Sequence, residues 1–236
     1  MKQSRREFLV IAGALVAFGA LPLHAFADGK MKIGIVGSGN VGSAIGTTWV
    51  RTGHEVMFSS LNIEHDKALA ARLGGGARAG TPREAAAFGD VVMISVPYHA
   101  LPAVGKEVGD LLKGKIVIDT NNPFTHRDGE TGAWALEKGV GLASAELLPG
   151  ARIVRAFNAI AAAKMGAAYQ EPGKVGMPIA SDDAQAVEIA SRLIRDVGYE
   201  PVLIGGLEKG KYLMPGQPFA GERSAEEIRK IVAGLK

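Results

Sequence analysis

The run MKIGIVGSGNVGS at positions 31–43 limits what the whole chain can become. Positions 32–36 form a short β-branched run, which reads as a buried strand. Gly37, Gly39 and Gly42 follow in a G-x-G-x-x-G spacing, and from Val41 the apolar residues take a helical period. Each glycine in a strand–turn–helix of this kind has its own physical task. The first permits the sharp turn, the second removes a Cβ so that a pyrophosphate can approach the backbone, and the third lets the helix pack close to the strand. The anion would sit on free N–H groups at the helix start, those of Ser38, Asn40 and Val41. A second strand predicted at 55–59 supplies the βαβ context that the glycine spacing needs.

Strands and helices continue to alternate beyond it. Helices are predicted at 41–51, 64–73 and 99–112, and strands at 77–79, 91–96 and 115–119. Thr81-Pro82-Arg83-Glu84 is a capping box with proline at the first helical position. The second half is less regular, with a helix at 142–148 and strands at 153–156, 175–180 and 201–204. A strong amphipathic helix runs to Val197 with Asp182 as its cap, and Ser224-Ala225-Glu226-Glu227 opens a terminal helix. This order predicts an α/β fold, a doubly wound (Rossmann) parallel sheet extended by a smaller C-terminal α/β portion. A ligand belongs at the strand C-terminal ends, in the loops 37–40, 59–62, 97–99 and 120–123. The run Met214-Pro215-Gly216-Gln217-Pro218 reads as a surface turn, with a pocket cover or a homodimer contact as the alternatives.

Composition removes several function classes. The 236 residues contain no cysteine, which excludes disulfides, thiolate metal ligands, a cysteine nucleophile and a lipid anchor on cysteine. No His/Asp/Glu cluster has metal spacing. The formal charge is +3, and Lys2, Arg5 and Arg6 against Glu7 place most of that excess in the first 27 residues. Nothing points to a nucleic-acid surface. Ser4-Arg5-Arg6-Glu7-Phe8-Leu9 is a twin-arginine pattern followed by a modest apolar run and an Ala25-Phe26-Ala27 cleavage site. Residues 1–27 therefore read as a twin-arginine signal peptide and 28–236 as one nucleotide-binding domain. The mature protein is expected to be exported already folded, to the periplasm or beyond the cell, with no stable membrane insertion.

The loop after the second predicted strand chooses between dinucleotides. Ser59-Ser60-Leu61-Asn62 holds no carboxylate to accept from a ribose 2′-OH, and its small hydroxyls leave room for a 2′-phosphate. NADP is thereby favoured over NAD, with His65 or Lys67 able to add charge. At this point the blocks GIVGSGNVGSAI, SVPYHA, IVIDTNNP and VRAFNAI make the chain similar to the NADP oxidoreductases that reduce or oxidise the deazaflavin coenzyme F420. The resemblance runs from about Met31 to the C-terminus, and the last three blocks carry it as a set. It implies that Gly37, Ser38, Gly39, Asn40 and Val41 hold the pyrophosphate and that Ser59 and Ser60 meet the 2′-phosphate. It implies that Val96 and Pro97 pass under the ribose and nicotinamide, and that His99, Asn121, Asn122, Pro123 and Asn158 line the ring of a small-molecule acceptor, F420 or a flavin. Leu61 departs from the arginine common in that family at this position.

Hydride transfer between two cofactor-like rings needs stacking and water exclusion more than side-chain chemistry, so no general acid or base is assigned. His126 and Arg127 read as a solvated loop, and Lys164 as unconnected to catalysis. Two other readings stay open: a non-catalytic NADP-binding module in the exported compartment, and an imine reductase related to pyrroline-5-carboxylate reductase. The second lacks the length for a helical dimerisation domain.

Overall fold

The computed structural model describes residues 29–235; the expected signal peptide, residues 1–27, lies outside them. The chain leaves β1 (Lys32–Val36) through α1 (Asn40–Arg51) to β2 (Glu55–Ser59), then through α2 (Ile63–Leu73) to β3 (Ala77–Ala79). It returns under the sheet by α3 (Pro82–Phe88) to β4 (Val91–Ile94), on the far side of β1, and continues by α4 (Leu101–Leu112) to β5 (Ile116–Asp119). Helices α5 (Thr125–Lys138) and α6 (Val140–Leu147) lead to β6 (Arg152–Arg155). The last elements are β7 (Val175–Ala180), α7 (Ala184–Asp196), β8 (Tyr199–Gly205) and α8 (Ala225–Gly234).

These strands form one sheet in the order β3-β2-β1-β4-β5-β6-β7-β8. The first six are parallel, β7 meets β6 antiparallel at Arg155 and Ala180, and β8 runs parallel to β7. The expected doubly wound sheet with a C-terminal extension is therefore the observed fold, and the direction of winding reverses between β1 and β4, where such sheets open a crevice. Every residue of β4 and β5 is buried, because helices cover both faces. One core layer joins Ile33, Ile35, Phe58 and Met93 to Ile45 and Trp49 of α1 and Leu193 of α7. The other joins Val92, Ile94 and Val117 to Leu101, Val108 and Leu112 of α4 and Ala143 of α6. Trp49 ties α1 to α7 by donating from Nε1 to the Leu193 carbonyl at 2.9 Å.

The predicted capping box of Thr81 with Glu84 is present, and Ser224 with Glu227 forms another at the start of α8. Two expectations are corrected. The cap of α7 is Asp183, which accepts from the Ala186 N–H at 2.9 Å, whereas Asp182 accepts from the Leu207 N–H at 3.2 Å. His126 and Arg127, read as loop, belong to a helical stretch, residues 125–138, with a break at Gly129 (φ 53°). The buried side of α5 is Asp128, Gly132 and Ala135, so no apolar stripe announces it.

Candidate functional site

The glycine turn is built as its spacing requires. Gly37 has φ +102°, and a Cβ there would stand 2.2 Å from the Ser95 carbonyl oxygen. At Gly39 a Cβ would point into open space with no atom within 4 Å, the room that a phosphate needs above the turn. Gly39 is also the N-cap of α1, and it offers no side chain to the amides of the first turn. The first intrahelical bond is Ser43 N–H to Gly39 O at 2.8 Å, which leaves the N–H groups of Asn40, Val41 and Gly42 without an intrahelical partner. Ser38 is different from expectation: its N–H donates to the Ser59 carbonyl at 3.0 Å, beside that of Gly37 at 2.9 Å. The available amides are thus shifted by one residue, from Ser38 to Gly42.

Two hollows flank this turn. The first, about 350 Å³, is lined by Gly37, Gly39, Ser60, Leu61, Val96 and Pro97 among others. Ser60 faces it, but Ser59 does not. The Ser59 side chain is fully buried and donates to the Ile35 carbonyl at 2.7 Å, so its hydroxyl cannot reach a 2′-phosphate. Leu61 is fully exposed on the rim. Behind the wall lies a residue that the loop sequence did not reveal, Asp66 on α2. It is fully buried, and it accepts from Ser38 Oγ and, at 2.8 Å, from Ser60 Oγ. Its carboxylate clamps the glycine turn to the end of β2. Lys67 points away, paired with Glu64 at 2.8 Å, and His65 leans on Asp66 at 3.4 Å.

The second hollow, about 400 Å³, is lined by Val41, Thr120, Asn122, Phe124, Phe157, Asn158 and Ala159, and closed by Pro215, Gly216, Ala220 and Gly221. The run after Met214 therefore covers a pocket rather than turning freely on the surface. A Gly221 N–H bond to the Ala159 carbonyl at 2.9 Å and a Lys164–Glu222 pair at 2.7 Å fasten it. Beneath this hollow lies a buried polar network. Arg155 and Asp119, register neighbours on β6 and β5, are both fully buried and meet at 2.6 Å. Arg155 also donates to the Asn121 carbonyl at 3.0 Å, Asn121 Nδ2 donates to Asp119 at 2.8 Å, and Asn121 Oδ1 accepts from the Val96 N–H at 2.8 Å. The network locks together the loops that follow β4, β5 and β6.

It also sorts the expected acceptor-lining residues. Asn122 and Asn158 reach the hollow, and Asn122 Nδ2 donates to the Asn158 carbonyl at 2.8 Å. Asn121 is turned inward as a brace, and Pro123 is buried and lines neither hollow. Asn158 Oδ1 is buried with no partner among the described residues. It follows Phe157, the one non-glycine residue among those described with positive φ, at 63°. A strained residue beside an unpartnered carbonyl is typical of a site waiting for a ligand.

His99 is half-exposed, and its Nδ1 stands 2.8 Å from Asp128 Oδ1. Asp128 is buried and also accepts from the Phe124 N–H at 2.8 Å and from two Arg127 donors at 2.9 and 2.8 Å. Burial alone would raise the Asp128 carboxyl; the bonds from Arg127, Phe124 and His99 outweigh it and hold it well below the usual carboxylate range. Arg127 is thus drawn inward, and it also donates to the Asn122 carbonyl at 2.8 Å. His126 stays exposed, its ring 5.7 Å from that of Phe124. The buried Tyr98 hydroxyl lies 3.1 Å from Ser144 Oγ and anchors the turn that carries His99. Among the described residues no cluster of His, Asp and Glu is placed to hold a metal ion, and no helix is long and apolar enough to cross a membrane.

Fold and glycine turn together define a Rossmann-type protein. Residues 32–123 match the family described as NADP oxidoreductase, coenzyme F420-dependent. Among curated relatives, the F420-dependent NADP reductase of Methanothermobacter thermautotrophicus is 27% identical over 197 residues, which is 78% of this chain and 84% of that protein. The metalloreductase STEAP3 of Rattus norvegicus is 28% identical over 76% of this chain, but only 35% of that longer protein is covered. Among solved structures, a hypothetical protein of Sinorhizobium meliloti, SMa0349, superposes with a TM-score of 0.69 at 25% identity, covering 83% of this chain and 95% of that one.

Proposed function

We propose that the chain is an oxidoreductase that transfers a hydride between NADP(H) and a flavin-like acceptor, with the deazaflavin F420 as the leading candidate. The observation that carries this reading is the pair of hollows meeting at the glycine turn. Asn40, Val41 and Gly42 offer amides to a diphosphate in the space above Gly39, and Val41 forms part of the wall of the second hollow. A dinucleotide laid across the turn would put its adenosine half toward Ser60 and its nicotinamide half past Val96 toward Asn158. The nicotinamide supplies the hydride; the protein binds, orients and excludes water. The apolar lining from Phe157, Ile160 and Ala161 suits a flat ring.

The match of residues 32–123 to an NADP-dependent family supports NADP, as does the lack of a carboxylate in the loop 59–62 that borders the first hollow. The activity of the Methanothermobacter relative supports F420. The imine-reductase reading is weakened because the residues after β6 complete the same sheet instead of building a helical domain. The first 27 residues support export by the twin-arginine route, which delivers a protein already folded around its cofactor.

The test is stopped-flow oxidation of NADPH by the mature protein with F420, FMN or FAD, paired with calorimetric titration of NADP(H) and NAD(H). Turnover with at least one acceptor is expected. Tight dinucleotide binding without turnover would instead favour a non-catalytic module, and no binding at all would remove the reading.

A further inference from the structure

Reducing a flavin-like ring takes more than a hydride. The electron pair that enters with it ends on a ring heteroatom, which must take up a proton, and the second hollow is lined by no titratable side chain. The lining residues of the second are amides, hydroxyls and hydrocarbon. His99 is in the lining of neither hollow, and it is tied to each. It stands two residues after Pro97, which lines the first hollow. Its carboxylate partner Asp128 is bonded to the N–H of Phe124, which lines the second, and Arg127 links the same carboxylate to Asn122.

Resting on the function proposed above, we infer that His99, oriented by Asp128, is the catalytic acid that delivers this proton. Asp128 Oδ1 accepts from both the N–H and the Nδ1 of His99, at 3.2 and 2.8 Å. The neutral ring therefore carries its proton on Nδ1 and leaves Nε2 bare. When charged, the ring has its second proton on Nε2, directed away from Asp128. The balance closes without a further reagent. The C–H bond of the dihydronicotinamide breaks and a new bond to hydrogen forms on the acceptor ring. The His99 Nε2–H bond then breaks as an N–H or O–H bond forms on the acceptor heteroatom. The nicotinamide is oxidised, the acceptor is reduced, and water reprotonates Nε2. In the reverse direction Nε2 accepts the same proton. Three elements pack against the turn that carries His99, among them α6, which holds Tyr98 through Ser144 and carries Glu146. Helix α5 brings His126, Arg127, Asp128 and Glu130, and α4 brings Lys106, Glu107 and Asp110. Among the described residues only Asp128 bonds the ring.

The test joins kinetics to a measurement that needs no turnover. In the wild type, kcat for acceptor reduction should fall as pH rises and His99 loses its Nε2 proton. In His99→Gln that pH dependence should vanish and kcat should drop by at least about tenfold, with Kd for NADP(H) within about twofold. Exogenous imidazole should restore part of the rate to His99→Ala. Histidine ¹⁵N spectra recorded at a pH where the ring is neutral should place its proton on Nδ1, and Asp128→Asn should disturb that tautomer. A wild type that turns over while His99→Gln keeps its rate and pH profile overturns the inference alone, as does a neutral ring protonated on Nε2. A wild type with no turnover on any acceptor overturns the proposed function, and the inference with it.

Discussion

The two hollows beside the glycine turn are of similar size but rest on different physics. The one toward Ser60 and Leu61 is lined by backbone, serines, aliphatic side chains and the exposed Glu107, and its one buried charge, Asp66, is satisfied by two serine hydroxyls behind the wall. The one toward Asn158 sits on a fully buried ion pair, an inward-turned asparagine and a phenylalanine with positive φ. The first is suited to gripping a flexible, charged diphosphate through amides that every sequence possesses. The second is suited to holding flat rings in register, which calls for stiffness. Side-chain identity should therefore matter little on the first side, except where a Cβ or a charge enters the phosphate space, and a great deal on the second.

Four experiments bear on that contrast. Arg155→Met leaves Asp119 buried without its cation and should cost about 3–5 kcal/mol in chemical denaturation. The double change Arg155→Met with Asp119→Leu should recover most of the loss. A single variant that loses under about 1 kcal/mol would break the claim that this side is built on the pair. Gly39→Asp puts a capping carboxylate over the free amides of α1. Stability should hold or rise by about 1 kcal/mol, while dinucleotide affinity measured by calorimetry falls at least about tenfold, or 1.4 kcal/mol. Ser59→Ala should cost about 1 kcal/mol of stability and leave the ratio of NADP to NAD affinity unchanged; a shift in that ratio would return Ser59 to the phosphate site.

The smallest effect concerns Asp183, which clips α7 to β6 through Arg152 at 2.6 Å. The Arg152 hydrogen bond, with help from the Ala186 N–H and against the cost of burial, lowers the Asp183 carboxyl to about 2 from the usual 3.8. A depressed carboxyl stabilises the fold above its unfolded value, so this contribution is present above about pH 4 and fades as pH falls toward 2. The melting-temperature gap between wild type and Asp183→Asn should narrow over that window. With both side chains partly solvated, the pair should contribute under about 1 kcal/mol.

The correct and the missed expectations divide along the same line. The strand–turn–helix at 31–43, the Thr81 capping box and the run of parallel strands are local patterns, in which each signal lies within a few residues of what it controls. Asp183 in place of Asp182 is a one-residue error of the same local kind. The misses are of another sort. Helix α5 buries an aspartate and two small residues, so periodicity could not find it. Ser59 and Ser60 look alike in sequence, and only the pleat of β2 sends one hydroxyl into the sheet and the other to the hollow.

By itself the sequence determined the fold class, the position of the glycine turn and the strand ends where a ligand belongs, because period and glycine spacing act over one or two turns of chain. The tertiary structure alone decided which amides stay free, that Asp66 stands behind the serines, and that Arg155 meets Asp119 and His99 meets Asp128. Apart from Ser60, six residues from Asp66, those partners are 28 to 36 residues apart along the chain, and buried charges find each other only once the sheet has brought its loops to one edge.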